Sequence, residues 1–161
     1  PLRRQRQMCI RDSYHIIYNE TLRDRVCAVS NKTHYNEMNV LSMHALIGAY
    51  QPQGYEWVDE LNQVLAGNIE YFCNYVDEHF EGVSYSRPQG TYMVFLDCTE
   101  WCREHGRDIQ WLLDEGARVG VGYQDGRPFH GPCHIRVNLA LPLSRVKEAC
   151  DRLDRYVFNA R

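Results

Sequence analysis

The stretch Tyr55–Phe80 constrains the fold more than any other part of the chain. Trp57/Val58, Leu61, Val64/Leu65, Ile69, Phe72/Cys73, Val76 and Phe80 recur every three or four residues, with Asp, Glu, Asn and Gln between them. That spacing gives a helix one apolar stripe. So long a helix, beginning after an interruption at Pro52 and Gly54, is expected to connect two structural units. Beyond it the period changes. VSYS (83–86), TYMVFLD (91–97), RVGVG (118–122) and HIRVNL (134–139) read as strands, being short and rich in β-branched and aromatic residues. Arg87–Gly90, with Pro88 and Gly90, predicts a turn between the first two. DIQWLLDE (108–115) predicts a helix stopping at Gly116. Leu143, Val146, Ala149/Cys150, Leu153 and Tyr156/Val157 predict an amphipathic C-terminal helix with Pro142 at its start. The order β-β-α-β-β-α implies a small α+β unit with helices on one face of a largely antiparallel sheet.

Ahead of the long helix the signals differ. Residues 14–18, YHIIY, predict a buried strand, and TLRDRVCAV a helix. A polar break, SNKTHYNEMN, precedes MNVLSMHALIGAY (38–50), which is apolar nearly all round, as expected of a helix buried on several sides. Residues 1–12 carry four arginines and one aspartate. Such an arm could engage nucleic acid, but it has neither an initiating Met nor periodicity, and it reads as a non-native leader.

No apolar run approaches the roughly 20 residues a bilayer crossing needs, and the N-terminus has no apolar secretory core. The cysteines are 7, an odd number, and none forms a C-x-x-C pair. Reduced thiols in the cytoplasm explain this better than a disulfide framework. His130, Cys133 and His134 invite a metal reading, yet Pro132 stiffens their approach and no second cluster accompanies them, so no metal is expected. Cys98 and Cys102 could share one face of a helical turn, and are read as buried thiols without an activating partner. No phosphate-cradling glycine loop is present.

His134–Leu139 carries the clearest chemistry. Alternation puts Ile135, Val137 and Leu139 on one face and His134, Arg136 and Asn138 on the other. Arg136 then points away from the core. A guanidinium on a stiff strand can hold a carboxylate bidentately, or it can serve as an ordinary surface ion-pair partner. The preceding loop, Tyr123–Cys133, mixes Gly, Pro, an aromatic and both charge signs, in the manner of ordered functional loops.

Three blocks, HYNEMNVLSMHALIGAY (34–50), RPQGTYMVFLDC (87–98) and VGVGYQDGRPFHGPCHIRVNLALPLSRVKEA (119–149), together resemble fold-type I pyridoxal-phosphate enzymes. The resemblance is nearest to the cystathionine β-lyase-like branch of the class I/II aminotransferases and runs from about Tyr14 to the C-terminus. It implies an α/β fold overall, with residues 13–54 ending the cofactor-binding large domain and 55–161 forming a connecting helix and an α+β small domain. It implies pyridoxal 5′-phosphate, held by a lysine in a Ser-x-x-Lys context expected before Tyr14. Lys32 and Lys147 match neither that motif nor its position, so no catalytic or cofactor-binding residue is assigned in the chain.

By the same resemblance, Arg136 matches the arginine that binds the substrate α-carboxylate. Phe129 and His130 match the loop lining the cleft. Tyr35 and Asn36, beside His34, match a stretch near a homodimer interface. The implied activity is C–S β-lysis of amino acids through an external aldimine, inactive without the lysine, in a cytoplasmic homodimer with no nucleic-acid or membrane partner. An aminotransferase is the alternative within the family. A non-catalytic α+β binding or regulatory module is the alternative outside it; that module explains the strands but not the apolar helix at 38–50.

Overall fold

The computed structural model describes residues 16–34 and 39–159. The chain divides into two compact units, Pro1–Asp59 and Glu60–Arg161. In the first lie helices α1 (Glu20–Thr33) and α2 (Val40–Ala49), and α3 (Pro52–His79) begins there and runs into the second. Asn19 starts α1 by accepting the Leu22 N–H at 2.9 Å, and Asn39 starts α2 by accepting that of Ser42 at 2.8 Å. Each cap satisfies an amide that the helix cannot.

Three expectations for this region change. Pro52 opens α3 instead of breaking ahead of it, because a first-turn residue needs no intrahelical donor. Tyr14 and His15 lie outside the described residues, and 16–18 have no regular structure; no described strand in that unit offers them a ladder partner. Helix α2 buries no residue, and Leu41 is 82% exposed. Its apolar character is therefore not satisfied within its own unit.

The second unit contains β1 (Ser84–Tyr85), β2 (Met93–Asp97), α4 (Thr99–His105), α5 (Ile109–Arg118) and β3 (Gln124–Asp125). There follow a 3-10 turn (Arg127–Phe129), β4 (His134–Asn138), α6 (Leu143–Leu153) and a π turn (Asp154–Phe158). The sheet order is β1-β2-β4-β3, with every pair antiparallel. Val94 and Leu96 of β2 and Ile135 and Val137 of β4 are buried, whereas Met93, Phe95, His134 and Arg136 are only half-buried. The buried face packs into one core with Phe72 and Val76 of α3, Leu112 of α5, and Val146, Cys150 and Leu153 of α6. One sheet face thus carries the core, and the other is left for different work.

Two local departures have physical causes. Helix α5 runs past Gly116 to Arg118. Gly116 is small because the Tyr123 ring lies against it, with the Tyr123 hydroxyl donating to the Leu112 carbonyl. The strand expected at 118–122 does not form. Val119 and Val121 instead donate to the Glu115 and Gly116 carbonyls at 3.0 and 2.8 Å, so their amides close the helix end and the ladder starts only at Gln124.

Asn68 is a buried polar residue, 2% exposed, whose Nδ2 donates to the Leu139 and Leu141 carbonyls at 2.9 and 2.8 Å. It ties α3 to the chain leaving β4. Asn68→Ala would remove both bonds, leaving the Leu139 carbonyl with only the Leu141 N–H at 2.9 Å and the Leu141 carbonyl without its Asn68 donor, at about 1–3 kcal/mol. The urea midpoint should fall accordingly, whereas Asn62→Ala, at an exposed position of the same helix, should leave it in place.

Candidate functional site

Strand β4 lies between β2 and β3, so Arg136 is paired on both sides, opposite Phe95 and Gln124. Alternation along β4 is as the sequence requires: Ile135 and Val137 are buried, and His134 and Arg136 face the other way. The arginine is fixed at its far end as well. Its Nε donates to Gln124 Oε1 at 2.7 Å, its Nη2 donates to the same oxygen, and its Cζ stands 4.0 Å from the centroid of the Phe129 ring. Arg103, Arg118, Arg127, Arg145 and Arg152 each pair with a carboxylate. Among the described residues, Arg136 pairs with none. The surface ion pair that the sequence left open for Arg136 is therefore not what the structure builds.

The loop that brings Phe129 over the guanidinium is tightly tied. Phe129 and Gly131 donate to the Gly126 carbonyl at 2.8 and 3.1 Å, and Gly126 donates to that of His134 at 2.9 Å. Arg127 is held by Asp125 and Gln110, with Nε–Oδ2 at 2.8 Å and Nη2–Oε1 at 2.9 Å. His130 ends the turn in the left-handed region, φ 62, with its side chain exposed. Tyr35 and Asn36 lie outside the described residues.

Gly131 has no room for a side chain: a Cβ would sit 2.5 Å from Phe95 Cζ and 2.6 Å from His134 Cβ. Gly131→Ala should cost about 1–3 kcal/mol of overpacking and lift Phe129 from Arg136. Gly90→Ala, with open space around it, is the matched control in a thermal melt.

Beside the arginine the same face carries a second polar group. His134 lies with its ring 4.6 Å from that of Phe95 and its Nε2 3.8 Å from Asp97 Oδ2. Burial pushes the Asp97 carboxyl up, but the Thr99 hydroxyl and N–H and the His134 ring outweigh it, so the group sits below the usual carboxylate range. It stays ionised and engaged locally, away from Arg136.

Thiol chemistry has no support here. Cys98 and Cys102 are buried, and burial followed by the neighbouring Cys133 thiol pushes Cys102 up to about 12, far from a nucleophilic thiolate. Among the described residues no three His, Cys, Asp or Glu side chains come together to hold a metal.

Neither lysine of the sequence, Lys32 or Lys147, lies on the strand that carries Arg136. Lys147 belongs to α6, its Nζ 5.2 Å from the Tyr71 ring, on the helical side of the sheet. Lys32 lies in the last turn of α1, in the other unit. Within the second unit, Lys147 thus lies off the sheet face that carries Arg136.

Gln124 is the member of the site that the sequence did not single out. Nothing in YQDG distinguishes it; only the register that sets it opposite Arg136 does.

Comparison with known proteins agrees with this architecture. No protein-family model matches the chain. A protein of Mycobacterium leprae named "Putative cystathionine beta-lyase" is 34% identical, over 67% of this chain and 30% of its own length. The chain therefore spans about a third of that relative. Among solved structures, a pyridoxal-phosphate-bound C–S lyase from Staphylococcus hominis matches with a TM-score of 0.73 at 24% identity, covering 86% of this chain and 36% of its own. A pyridoxal-phosphate-bound "putative aminotransferase" from Clostridium difficile 630 matches with a TM-score of 0.77 at 22% identity, covering 86% and 35%. These two likenesses show the fold, which this chain shares with about a third of each of those chains.

Proposed function

We propose that this chain, which belongs with the cystathionine β-lyase-like pyridoxal-phosphate enzymes, contributes the α-carboxylate grip of a C–S β-lyase acting on amino acids. One observation carries the reading: Arg136 is half-buried, clamped on a strand paired on both sides, and matched by no carboxylate among the described residues. A cation held this firmly without a counter-charge is preorganised for an anion. A carboxylate taken bidentately fixes two atoms of the substrate and so restricts the orientation of its α-carbon. The role of Arg136 is orientation, not proton transfer. Phe129, stacked on the guanidinium, keeps its plane from rotating and shields one of its faces from water.

Pyridoxal phosphate would supply the electron sink for bond breaking at the amino acid's α-carbon. We assign it to the complete protein, with its lysine outside the described residues. In the same proposal residues 13–54 end the cofactor-binding domain, 55–161 form the connecting helix and small domain, and the complete protein is a cytoplasmic homodimer. No described helix is long and apolar enough to cross a membrane.

The decisive assay supplies cystathionine to the complete protein without a keto acid. Release of pyruvate, ammonia and homocysteine is expected. Amino-group transfer that depends on an added keto acid, with no pyruvate, would replace the lyase by an aminotransferase, the activity named for the C. difficile neighbour.

A further inference from the structure

The guanidinium of Arg136 has two edges, and the described residues hydrogen-bond only one of them. Nε–H and the Nη2–H beside it both point at a single oxygen, Gln124 Oε1. Arginine has no acceptor, so the amide must present its carbonyl here. The outer edge, formed by Nη1 and the second Nη2 hydrogen, is not used by Gln124. That edge has the fork geometry a carboxylate takes bidentately. The neighbours of the arginine are also uncharged: Phe95 stands opposite it on β2, Gln124 opposite it on β3, and Phe129 lies over it.

The next residue along β3 makes the contrast. Asp125 is a carboxylate, but successive strand residues face opposite ways. Asp125 accepts from Arg127 Nε and N–H at 2.8 and 2.9 Å, so its charge is consumed there. Of the two β3 residues it is position 124 that faces Arg136, and there the side chain has glutamate's length without its charge.

We propose that Gln124 is a positioning residue of this site. It holds Arg136 by the inner edge with a neutral acceptor, leaving the outer edge and the undiminished charge to a ligand carboxylate. The inference rests on the carboxylate reading of Arg136 given above. An acid at position 124 would fill the same inner edge but neutralise the guanidinium, so a ligand carboxylate would meet a salt bridge instead of a free cation. Specificity for an acid over its amide therefore depends on residue 124 being neutral.

The test is calorimetric, on the complete cofactor-loaded protein, with propionate and propionamide as probes that share a shape and differ in charge. The native protein should bind propionate at least ~10-fold more tightly than propionamide, the lower end of what a charge-assisted pair supplies. Arg136→Ala should abolish that preference. Gln124→Glu should reduce it to under ~3-fold while the protein remains folded by circular dichroism. Gln124 is exposed, so the substitution is tolerable; if Q124E does not fold, Gln124→Asp places the same charge on a shorter arm and should also reduce the preference. A preference lost in R136A but intact in the acidic variants overturns the role of Gln124 and leaves the carboxylate site standing. No preference in the native protein removes the carboxylate site itself.

Discussion

Arg136→Ala should lower kcat/KM of the complete enzyme for its amino acid by about 10- to 150-fold. The figure follows from a charge-assisted hydrogen-bonded pair, worth about 1.5–3 kcal/mol when lost at the transition state. Cofactor absorbance should persist, because Arg136 belongs to the strand face and not to any coenzyme-holding group. The fold should persist too. The side chain is only half-buried, it carries no apolar contact of the core, and its removal frees Gln124 to meet water. Arg136→Lys is expected to recover only part of the loss, since an ammonium cannot present two parallel donors to one carboxylate. Turnover near the native value in the alanine variant would refute the assignment.

Trp101→Ala should have the largest effect on stability, about 3–5 kcal/mol by urea denaturation. Its ring, 2% exposed, lies 4.4 Å from that of His105, 5.7 Å from that of Trp111 and 5.3 Å from that of Phe158. Its Nε1 donates to the Phe158 carbonyl at 3.2 Å, which pins the closing π turn onto α4. Alanine would leave both a cavity and an unsatisfied buried carbonyl, and the two costs act together. Trp101→Phe keeps most of the volume and loses mainly the hydrogen bond, so a smaller loss is expected. If the two variants unfold at the same urea concentration, the ring packing matters less than the structure implies.

What was legible in the sequence follows from where each signal arises. Strand β4 could be read because its two faces differ in kind: Ile135 and Val137 must be buried, and Arg136 cannot be buried beside them. The same reason holds for the second half of α3, where Phe72, Cys73 and Val76 are buried, but not for its start, where Trp57, Val58 and Val64 are exposed. Helix α4 was not anticipated as an element, since seven residues hold too few periods to declare themselves. The misplaced strand at 118–122 had the right residues, but its amides were claimed by the end of α5. Apolar residues at 38–50 pointed to a helix and also to its burial; the helix is present but buries no residue, since burial belongs to a pair of surfaces and only one is written in that segment. The site was legible as far as the alternation of one strand reaches. Gln124 depends on how two strands are aligned, and no single segment encodes that.

Because Arg136 is anchored on an inner strand held from both flanks, it can adapt little from one ligand to another. A fixed fork is suited to the portion that every α-amino acid has in common. On the proposed role of Arg136, discrimination among amino-acid side chains falls to surfaces that can change without disturbing this sheet.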